Sequence, residues 1–201
     1  EQHGAAIQWL VHYLSKTQDK GLIYNPDKSK GLEVYMDAGF AGNWNKDEAA
    51  TDRVTAWSRH GYIIKYNNCP LVWKSQLQGE IALSSTKSEY CGLLYALQEV
   101  IPIIDLLKEM SVQGFGVIAK PPDVMCKVFE DNSGALEMAK IHKYRPCTKH
   151  INTKLHHFRS YVESGKIKIN LIDTSEQQAD YLTKPVDEKL LKRLRKLVMG
   201  W

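Results

Sequence analysis

The sequence has only four cysteines, at positions 69, 91, 126 and 147, and none forms a Cys-x-x-Cys pair with another. This spacing is typical of neither a zinc ribbon nor a disulfide framework. A reducing compartment therefore fits the chain best. With 43% apolar residues, the chain has enough hydrophobic material to build a core.

Long apolar runs are also missing. No stretch of eighteen apolar residues occurs, and the first ten residues, EQHGAAIQWL, lack both the basic start and the continuous apolar segment of a signal peptide. The sequence therefore predicts no membrane partner and no secretory route. Its 201 residues fit one domain of roughly 150 residues with attached segments. Since the chain begins inside a helical pattern without an initiator methionine, we expect it to be a piece of a longer protein.

Acidic residues are almost absent from residues 140–168. This stretch has eight Lys or Arg residues and four His residues against a single acid, Glu163, although the net charge of the whole chain is only +4. Two interpretations remain open. The stretch is either a contact surface for a polyanionic partner or the solvated basic face of a helix.

Hydrophobic periodicity predicts the order of the elements. Helical spacing of Ile7, Leu10, Val11 and Leu14 opens the chain, and three strands follow, of which GYIIKY and PLVWKS form a hairpin around two asparagines. A long helix starts near Thr86, and Pro102 must kink or divide it. The remaining predicted elements are a strand (VMCKVFE), a short helix (SGALEMAK), a helix (TKHINTKLHHFRSYVESG), a strand (KIKINLI) and a last short helix opened by a cap at Thr174 or Ser175.

This βββαβαβα order predicts an α/β fold. Three antiparallel strands followed by strands reached through helices give a mixed sheet with helices on both faces. In the strand KIKINLI, strict alternation places Ile167, Ile169 and Leu171 toward a core. In the helix TKHINTKLHHFRSYVES, the apolar stripe consists of Ile151, Leu155, Phe158 and Val162. Lys154 and His157 lie outside this stripe and can face the phosphate backbone of a nucleic acid.

Four carboxylates lie at positions where these elements would bring them together. Asp37 ends the first strand in VYMDAGFAG, and Asp131 ends the strand VMCKVFE; if these strands are parallel neighbours, both acids reach the same sheet edge. Glu89 begins an otherwise apolar face of the long helix and should point at the sheet. Asp180 lies early in the last short helix.

Each acid also has an ordinary structural interpretation. Asp37 could form a turn, Glu89 could complete a capping box with Thr86, Asp131 could cap a helix, and Asp180 could be a surface acid in a first turn. Four together differ from one alone, because crowded carboxylates raise one another's pKa unless cations neutralise them. Hard oxygen ligands favour Mg²⁺, for which Mn²⁺ can substitute.

The sequence resembles the ribonuclease H domain of copia-type LTR-retrotransposon Pol polyproteins (Ty1/copia, Pseudoviridae) nearly end to end. The resemblance is carried by VYMDAGFAGNW, GYIIKYNNCPLVWKSQLQGEIALSSTKSEY, VFEDNSGALEMA, TKHINTKLHHFR and QQADYLTKP. It implies a ribonuclease H fold with a five-stranded mixed sheet. It also implies three segments: a reverse transcriptase connection over residues 1–30, the ribonuclease H domain over 31–185 and a basic C-terminal helix over 186–201.

The resemblance implies a Mg²⁺-dependent endoribonuclease that hydrolyses the RNA strand of RNA/DNA hybrids during reverse transcription. Asp37, Glu89, Asp131 and Asp180 would hold two ions, one activating water and the other stabilising the departing 3′ oxygen. The implied partners are the hybrid and the reverse transcriptase portion of the same polyprotein, with no small-molecule cofactor. The implied location is a cytoplasmic virus-like particle, with the nucleus as the alternative.

Six residues are candidate nucleic-acid contacts: Gly39, Asn132, Lys149, His150, Lys154 and His157. Two departures from the family pattern matter. Gly39 stands where the family usually has a second acid, and the stretch LIDTSEQQAD lacks the histidine that many relatives carry before the last aspartate. Proton transfer would then use water or, less favourably, His150. Trp44 and Trp57 are candidates for stacking on the substrate, whereas Trp73 is expected in the core.

Two rival functions are open. A DNA nuclease of the same fold, such as an integrase or resolvase, would be expected to have a three-acid site, so that Asp180 argues against it. A catalytically silent hybrid-binding or structural module of a polyprotein would not need four acids, so that the intact set argues against this second rival.

Overall fold

The predicted strands form a single sheet in the computed structural model, which describes residues 2–47, 51–117, 124–140 and 158–201. The helices and strands in chain order are α1 (Gln2–Thr17), β1 (Leu32–Gly39), β2 (Arg59–Tyr66), β3 (Cys69–Leu77), α2 (Ser85–Val112), β4 (Cys126–Glu130), α3 (Ser133–Lys140), α4 (helical over residues 158–163), β5 (Ile167–Leu171) and α5 (Glu188–Met199). Short 3₁₀ turns cover Arg53–Ala56, Thr174–Glu176 and Asp180–Leu182.

The sheet has the mixed topology that the sequence predicts. Its strand order is β3-β2-β1-β4-β5, with β1 antiparallel to β2, β2 antiparallel to β3, and β4 parallel to both β1 and β5. Tyr35 of β1 lies opposite Phe129 of β4, so Asp37 and Asp131 each follow two residues later at the same end of the sheet. The parallel pairing that the two aspartates require is thereby confirmed.

The hairpin between β2 and β3 is confirmed, and its turn explains the two asparagines. Asn67 and Asn68 have φ angles of 48° and 68°, in the left-handed region that asparagine tolerates better than most residues. Two successive left-handed residues match the twist of a tight hairpin.

Helix α2 covers one face of the sheet and supplies the centre of the core. Leu93, Ala96 and Val100 are fully buried there, among strand residues such as Val34 and Ile64. Ser84 caps the helix by accepting a hydrogen bond from the Lys87 backbone at 3.2 Å, so the capping box predicted from Thr86 and Glu89 is not the one used.

Pro102 does not divide α2, which runs without a break from Ser85 to Val112. The neighbouring Ile101 and Ile104 are buried in the core, and this packing holds the helix together across the missing N–H. By length and apolar composition α2 would qualify as a membrane span, but more than half of its most apolar stretch is buried within the protein. This burial is typical of the core helix of a folded domain.

The opposite face of the sheet is joined to the C-terminal segment by a buried lysine. Lys65 is 1% exposed, and its ammonium donates to Asn68 Oδ1 at 3.0 Å, to Gln178 Oε1 at 3.3 Å and to the Leu197 carbonyl near the end of α5 at 3.1 Å. Burial lowers the pKa of Lys65, although the nearby Glu33 opposes this effect. These contacts fasten the segment before Asp180 and helix α5 to strand β2.

Helix α1 confirms the predicted periodicity, but its apolar stripe faces outward. Ile7, Leu10, Val11 and Leu14 are each 55–61% exposed. The segment after α1 is attached to the end of α5, where the Ile23 N–H donates to the Met199 carbonyl at 2.9 Å. The indole N–H of Trp201 donates to the Gly21 carbonyl at 2.8 Å.

Three sequence predictions about local structure are wrong. Trp73 is 54% exposed rather than in the core, because β3 is an edge strand and this part of it lies largely uncovered. Leu171 is 55% exposed, because it is the last residue of the other edge strand. The expected last short helix consists of two separate 3₁₀ turns, the first capped by the Asp173 side chain rather than by Thr174 or Ser175.

Candidate metal centre

Three of the four predicted carboxylates meet at the end of β1. Oxygen atoms of Asp37, Glu89 and Asp131 lie within 4.8 Å of one another, although the residues come from β1, from α2 and from the position after β4. Asp37 and Glu89 are buried, and Asp131 is half-buried. Among the described residues, this is a group whose spacing suits one metal ion bound by carboxylate oxygens.

Glu89 points inward, as the helical pattern predicts. It is 7% exposed, and its Oε2 has no hydrogen-bond partner among the described residues. Burial raises the pKa of Glu89 to about 10, and the negative charges of Asp37, Glu130 and Asp131 add to the rise. A buried oxygen without a donor is the group that a divalent cation would satisfy.

Asp37 is almost completely enclosed, at 2% exposure. Burial raises the pKa of Asp37 to about 6, although a hydrogen bond from the Thr183 hydroxyl and the charge of Lys184 act in the opposite direction. The Lys184 ammonium lies 3.9 Å from Asp37 Oδ1. The carboxylate is therefore held between the other acids on one side and the segment after Asp180 on the other.

Asp180 reaches the same edge but is paired with a lysine. It begins a 3₁₀ turn and is 3% exposed, and its Oδ1 lies 2.9 Å from Lys184 Nζ. Burial raises the pKa of Asp180, while the contact with Lys184 counteracts the rise. For Lys184, the contacts with Asp180 and Asp37 outweigh burial and raise the pKa.

Glycines allow the segment carrying Asp180 to approach the sheet. A Cβ atom at Gly61 of β2 would lie 2.6 Å from Leu182 Cβ, and one at Gly39 would lie 3.2 Å from the Thr183 carbonyl oxygen. Gly39, a candidate nucleic-acid contact, thus also serves as a packing position beneath this segment.

A fifth carboxylate, Glu130, was not predicted. It is fully buried beside the group, its Oε1 accepts from the Asn132 N–H at 3.1 Å, and its Oε2 has no partner among the described residues. Burial raises the pKa of Glu130 to about 8, with further increases from Asp131 and Asp37. Its place as the last residue of β4, directly before Asp131, was the only signal in the sequence.

Of the six predicted nucleic-acid contacts, Gly39 and Asn132 lie among the described residues. Asn132 accepts a hydrogen bond from the Ala135 N–H at 3.0 Å and so caps α3, the role that Asp131 could have taken. Asp131 instead accepts from the Thr174 hydroxyl at 2.9 Å. Four of the candidate nucleic-acid contacts lie outside the described residues: Lys149, His150, Lys154 and His157.

Two plant proteins are similar to nearly the whole chain. The Pol polyprotein from transposon RE2 of Arabidopsis thaliana is 31% identical over 186 residues, or 92% of the chain. The one from transposon TNT 1-94 of Nicotiana tabacum is 29% identical over 198 residues, or 98% of the chain. The homologues of this chain are copia-type, retrovirus-related Pol polyproteins. The chain spans only 12% and 14% of the lengths of these two relatives.

The fold agrees with this relationship. LC11-RNase H1, isolated from compost, matches with a TM-score of 0.50 and 18% identity over 77% of this chain and 93% of its own. The chain therefore has the ribonuclease H fold, as the sequence predicts. No protein-family model matches the chain.

The raised pKa of Asp37 predicts that its charge destabilises the folded protein in the absence of metal. Because the folded-state value of about 6 exceeds the ordinary 3.8, the wild-type protein loses stability as pH rises through this interval. Asp37→Asn should remove the penalty and raise the unfolding free energy above pH 6 by up to about 3 kcal/mol. The gain should fall to about 0.6 kcal/mol at pH 4 and vanish below about pH 3, where the wild-type carboxyl is protonated in both states.

Chemical denaturation in EDTA at pH 8 and at pH 4 measures the difference. Asp47→Asn, which changes an exposed aspartate of the described chain, is the matched control and should leave stability unchanged at both pH values. An Asp37→Asn protein that is less stable than the wild type at pH 8 would show that the carboxylate is not under electrostatic strain.

Proposed function

We propose that the chain is a divalent-metal-dependent endoribonuclease that hydrolyses the RNA strand of RNA/DNA hybrids, as part of a retrotransposon Pol polyprotein. The observation that carries the proposal is the meeting of Asp37, Glu89 and Asp131 within 4.8 Å, with Asp180 beside them through Lys184. Buried acids with raised pKa values and unsatisfied oxygens form a costly arrangement unless cations bind there.

The donor set fits Mg²⁺, with Mn²⁺ as a substitute, because all four side chains offer hard carboxylate oxygens. Asp37 would contribute to both ion positions, with Glu89 and Asp131 at one and Asp180 at the other. Bound there, the ions would supply activation of the attacking water and stabilisation of the departing 3′ oxygen. The products would be 5′-phosphate and 3′-hydroxyl ends.

Hydrogen-bond donors of the chain orient these carboxylates. The Thr183 hydroxyl donates to Asp37 Oδ2, and the Thr174 hydroxyl donates to Asp131 Oδ2. The Ala38 N–H contacts Glu89 and lowers its pKa in opposition to burial. These donors hold the carboxylates in place before an ion enters, which lowers the cost of organising the site.

The experiment below also tests two alternative functions. A DNA nuclease of the same fold would cleave DNA duplexes at this site, and a silent module would bind hybrids without cleaving them. The position of Asp180 beside Asp37 favours a four-acid site over a three-acid one.

The wider context is also a proposal. We place the reverse transcriptase connection at residues 1–30, the ribonuclease H domain at 31–185 and a basic helix at 186–201. The exposed apolar stripe of α1 supports a contact with the reverse transcriptase portion of the polyprotein. A cytoplasmic virus-like particle, with the nucleus as the alternative, is the proposed location.

The decisive test compares cleavage of matched duplexes. The 201-residue protein with Mg²⁺ should cut the RNA strand of an RNA/DNA hybrid and leave double-stranded DNA of the same sequence intact. Asp37→Asn and Asp180→Asn should each reduce the rate by at least about a hundredfold, since each removes a ligand of the proposed ions. Asp47→Asn is the control and should retain full activity.

Each failure has its own meaning. Cleavage of the DNA duplex would support the DNA nuclease, whereas binding without cleavage at any Mg²⁺ or Mn²⁺ concentration would support the silent module. Normal cleavage by both site variants would contradict the assignment of the acids.

Substrate discrimination and substrate affinity should depend on different residues. Asn132→Ser keeps a capping oxygen for α3 but removes the amide donor that we assign to a 2′-hydroxyl, so it should erode the preference for hybrid over double-stranded DNA. Lys154→Ala should weaken binding to both duplexes and reduce the slope of log affinity against log salt by about 0.9 or less. Its hybrid preference should remain.

Binding of both variants to both duplexes at two salt concentrations measures these effects. Far-ultraviolet circular dichroism should show that Asn132→Ser keeps its helix content. Equal losses of preference in the two variants would contradict the division between positioning and discrimination.

A further inference from the structure

A lysine ammonium occupies the space between two of the proposed metal ligands. Lys184 Nζ lies 2.9 Å from Asp180 Oδ1 and 3.9 Å from Asp37 Oδ1. The backbone holds the lysine in reach, because the N–H groups of Thr183 and Lys184 both donate to the Asp180 carbonyl, at 3.1 and 3.2 Å. The side chain is therefore folded back over the aspartate that precedes it by four residues.

The two ends of this contact differ in their access to solvent. The side chains of Asp37 and Asp180 are 3% and 4% exposed in these ion pairs, whereas that of Lys184 is 41% exposed. The acids are fixed in the protein, but the lysine has an open route to water. Its flexible stem lets the ammonium leave without moving the backbone.

The ammonium and a divalent ion need the same oxygens. Asp37 forms the three-acid group with Glu89 and Asp131, so an ion held by those three acids needs no oxygen of Asp180, the nearer partner of Lys184. An ion held by Asp37 and Asp180 must instead replace the ammonium. The two proposed ion positions thus differ in whether a resident cation competes for them.

We propose that Lys184 is a built-in counter-cation, which neutralises Asp37 and Asp180 and must be displaced before a divalent ion binds between them. This inference rests on the proposed function of the site. It makes divalent binding sequential, because the Asp37, Glu89 and Asp131 position fills first and the Asp37 and Asp180 position fills at higher concentration. It also makes the protein without metal more stable than four bare carboxylates would allow.

The test is a calorimetric titration of the whole 201-residue protein with Mn²⁺ alone, with no nucleic acid present. Lys184→Met removes the charge and keeps most of the side-chain length, and it should strengthen the weaker Mn²⁺ affinity by about threefold or more. Lys184→Arg keeps a cation and should bind Mn²⁺ as the wild type does. Lys192→Met removes another lysine paired four residues apart, with the exposed Glu188, and should change nothing.

Melting temperatures provide a second measurement that does not require activity. In EDTA, Lys184→Met should melt below the wild type, and saturating Mn²⁺ should raise its melting temperature by more than it raises that of the wild type. Lys184→Gln provides the same comparison if the methionine variant does not fold.

The outcomes separate the two proposals. Wild-type protein that binds no Mn²⁺ would overturn the proposed metal site itself. Wild-type protein that binds Mn²⁺ while the neutral Lys184 variants bind equally or more weakly would overturn the counter-cation alone, and would mean that the lysine supports metal binding instead of competing with it.

Discussion

The burial of several carboxylates at one edge of the sheet is the constraint on which the rest of this site depends. Asp37, Glu89 and Glu130 all have raised pKa values because burial and neighbouring negative charges disfavour ionisation. Such a group survives in a folded protein only if the surrounding structure holds it and cations compensate it. The donors from Thr174 and Thr183 and the charge of Lys184 are part of the compensation that the described residues supply.

The same elements that build the core also assemble the acids. The parallel register of β1 and β4 fixes Asp37 and Asp131 at one edge, and the apolar face of α2 turns Glu89 toward it. On the other face, Lys65 fastens the segment before Asp180, and Gly61 permits its close approach. The geometry of the acids and the stability of the fold are consequently linked, because loosening any of these contacts would spread the carboxylates apart.

The sequence predicted the parts of the site that depend on regular periodicity. Strand ends and a helical face have fixed geometry, so the convergence of Asp37, Asp131 and Glu89 followed from their positions in VYMDAGFAG, VFEDNSG and the long helix. The hairpin at Asn67 and Asn68 followed from turn chemistry in the same way. The burial of side chains in edge strands was harder to predict. Periodicity shows that the two faces of a strand differ, but it does not show whether another element covers the apolar face. Trp73 and Leu171 were misplaced for this reason.

The compensating residues were invisible for a different reason. Thr183, Lys184 and Glu130 act through tertiary contacts across the edge of the sheet, and no local pattern distinguishes them from ordinary polar residues. The segment between Asp173 and Leu182 folds into 3₁₀ turns, whose short hydrogen-bonded repeats leave little periodic signal in the sequence. The helix caps were also mispredicted, because several neighbouring residues have side chains able to cap a helix. The structure uses Ser84 for α2 and Asp173 for the first 3₁₀ turn.

The most direct measurement of the central claim is an anomalous scattering experiment on crystals of the 201-residue protein soaked in Mn²⁺. The account predicts a manganese peak bound by oxygens of Asp37, Glu89 and Asp131, and a second at higher Mn²⁺ concentration between Asp37 and Asp180, with the Lys184 side chain moved toward solvent. A saturating soak in which Mn²⁺ binds elsewhere and these four carboxylates carry no anomalous peak would contradict it.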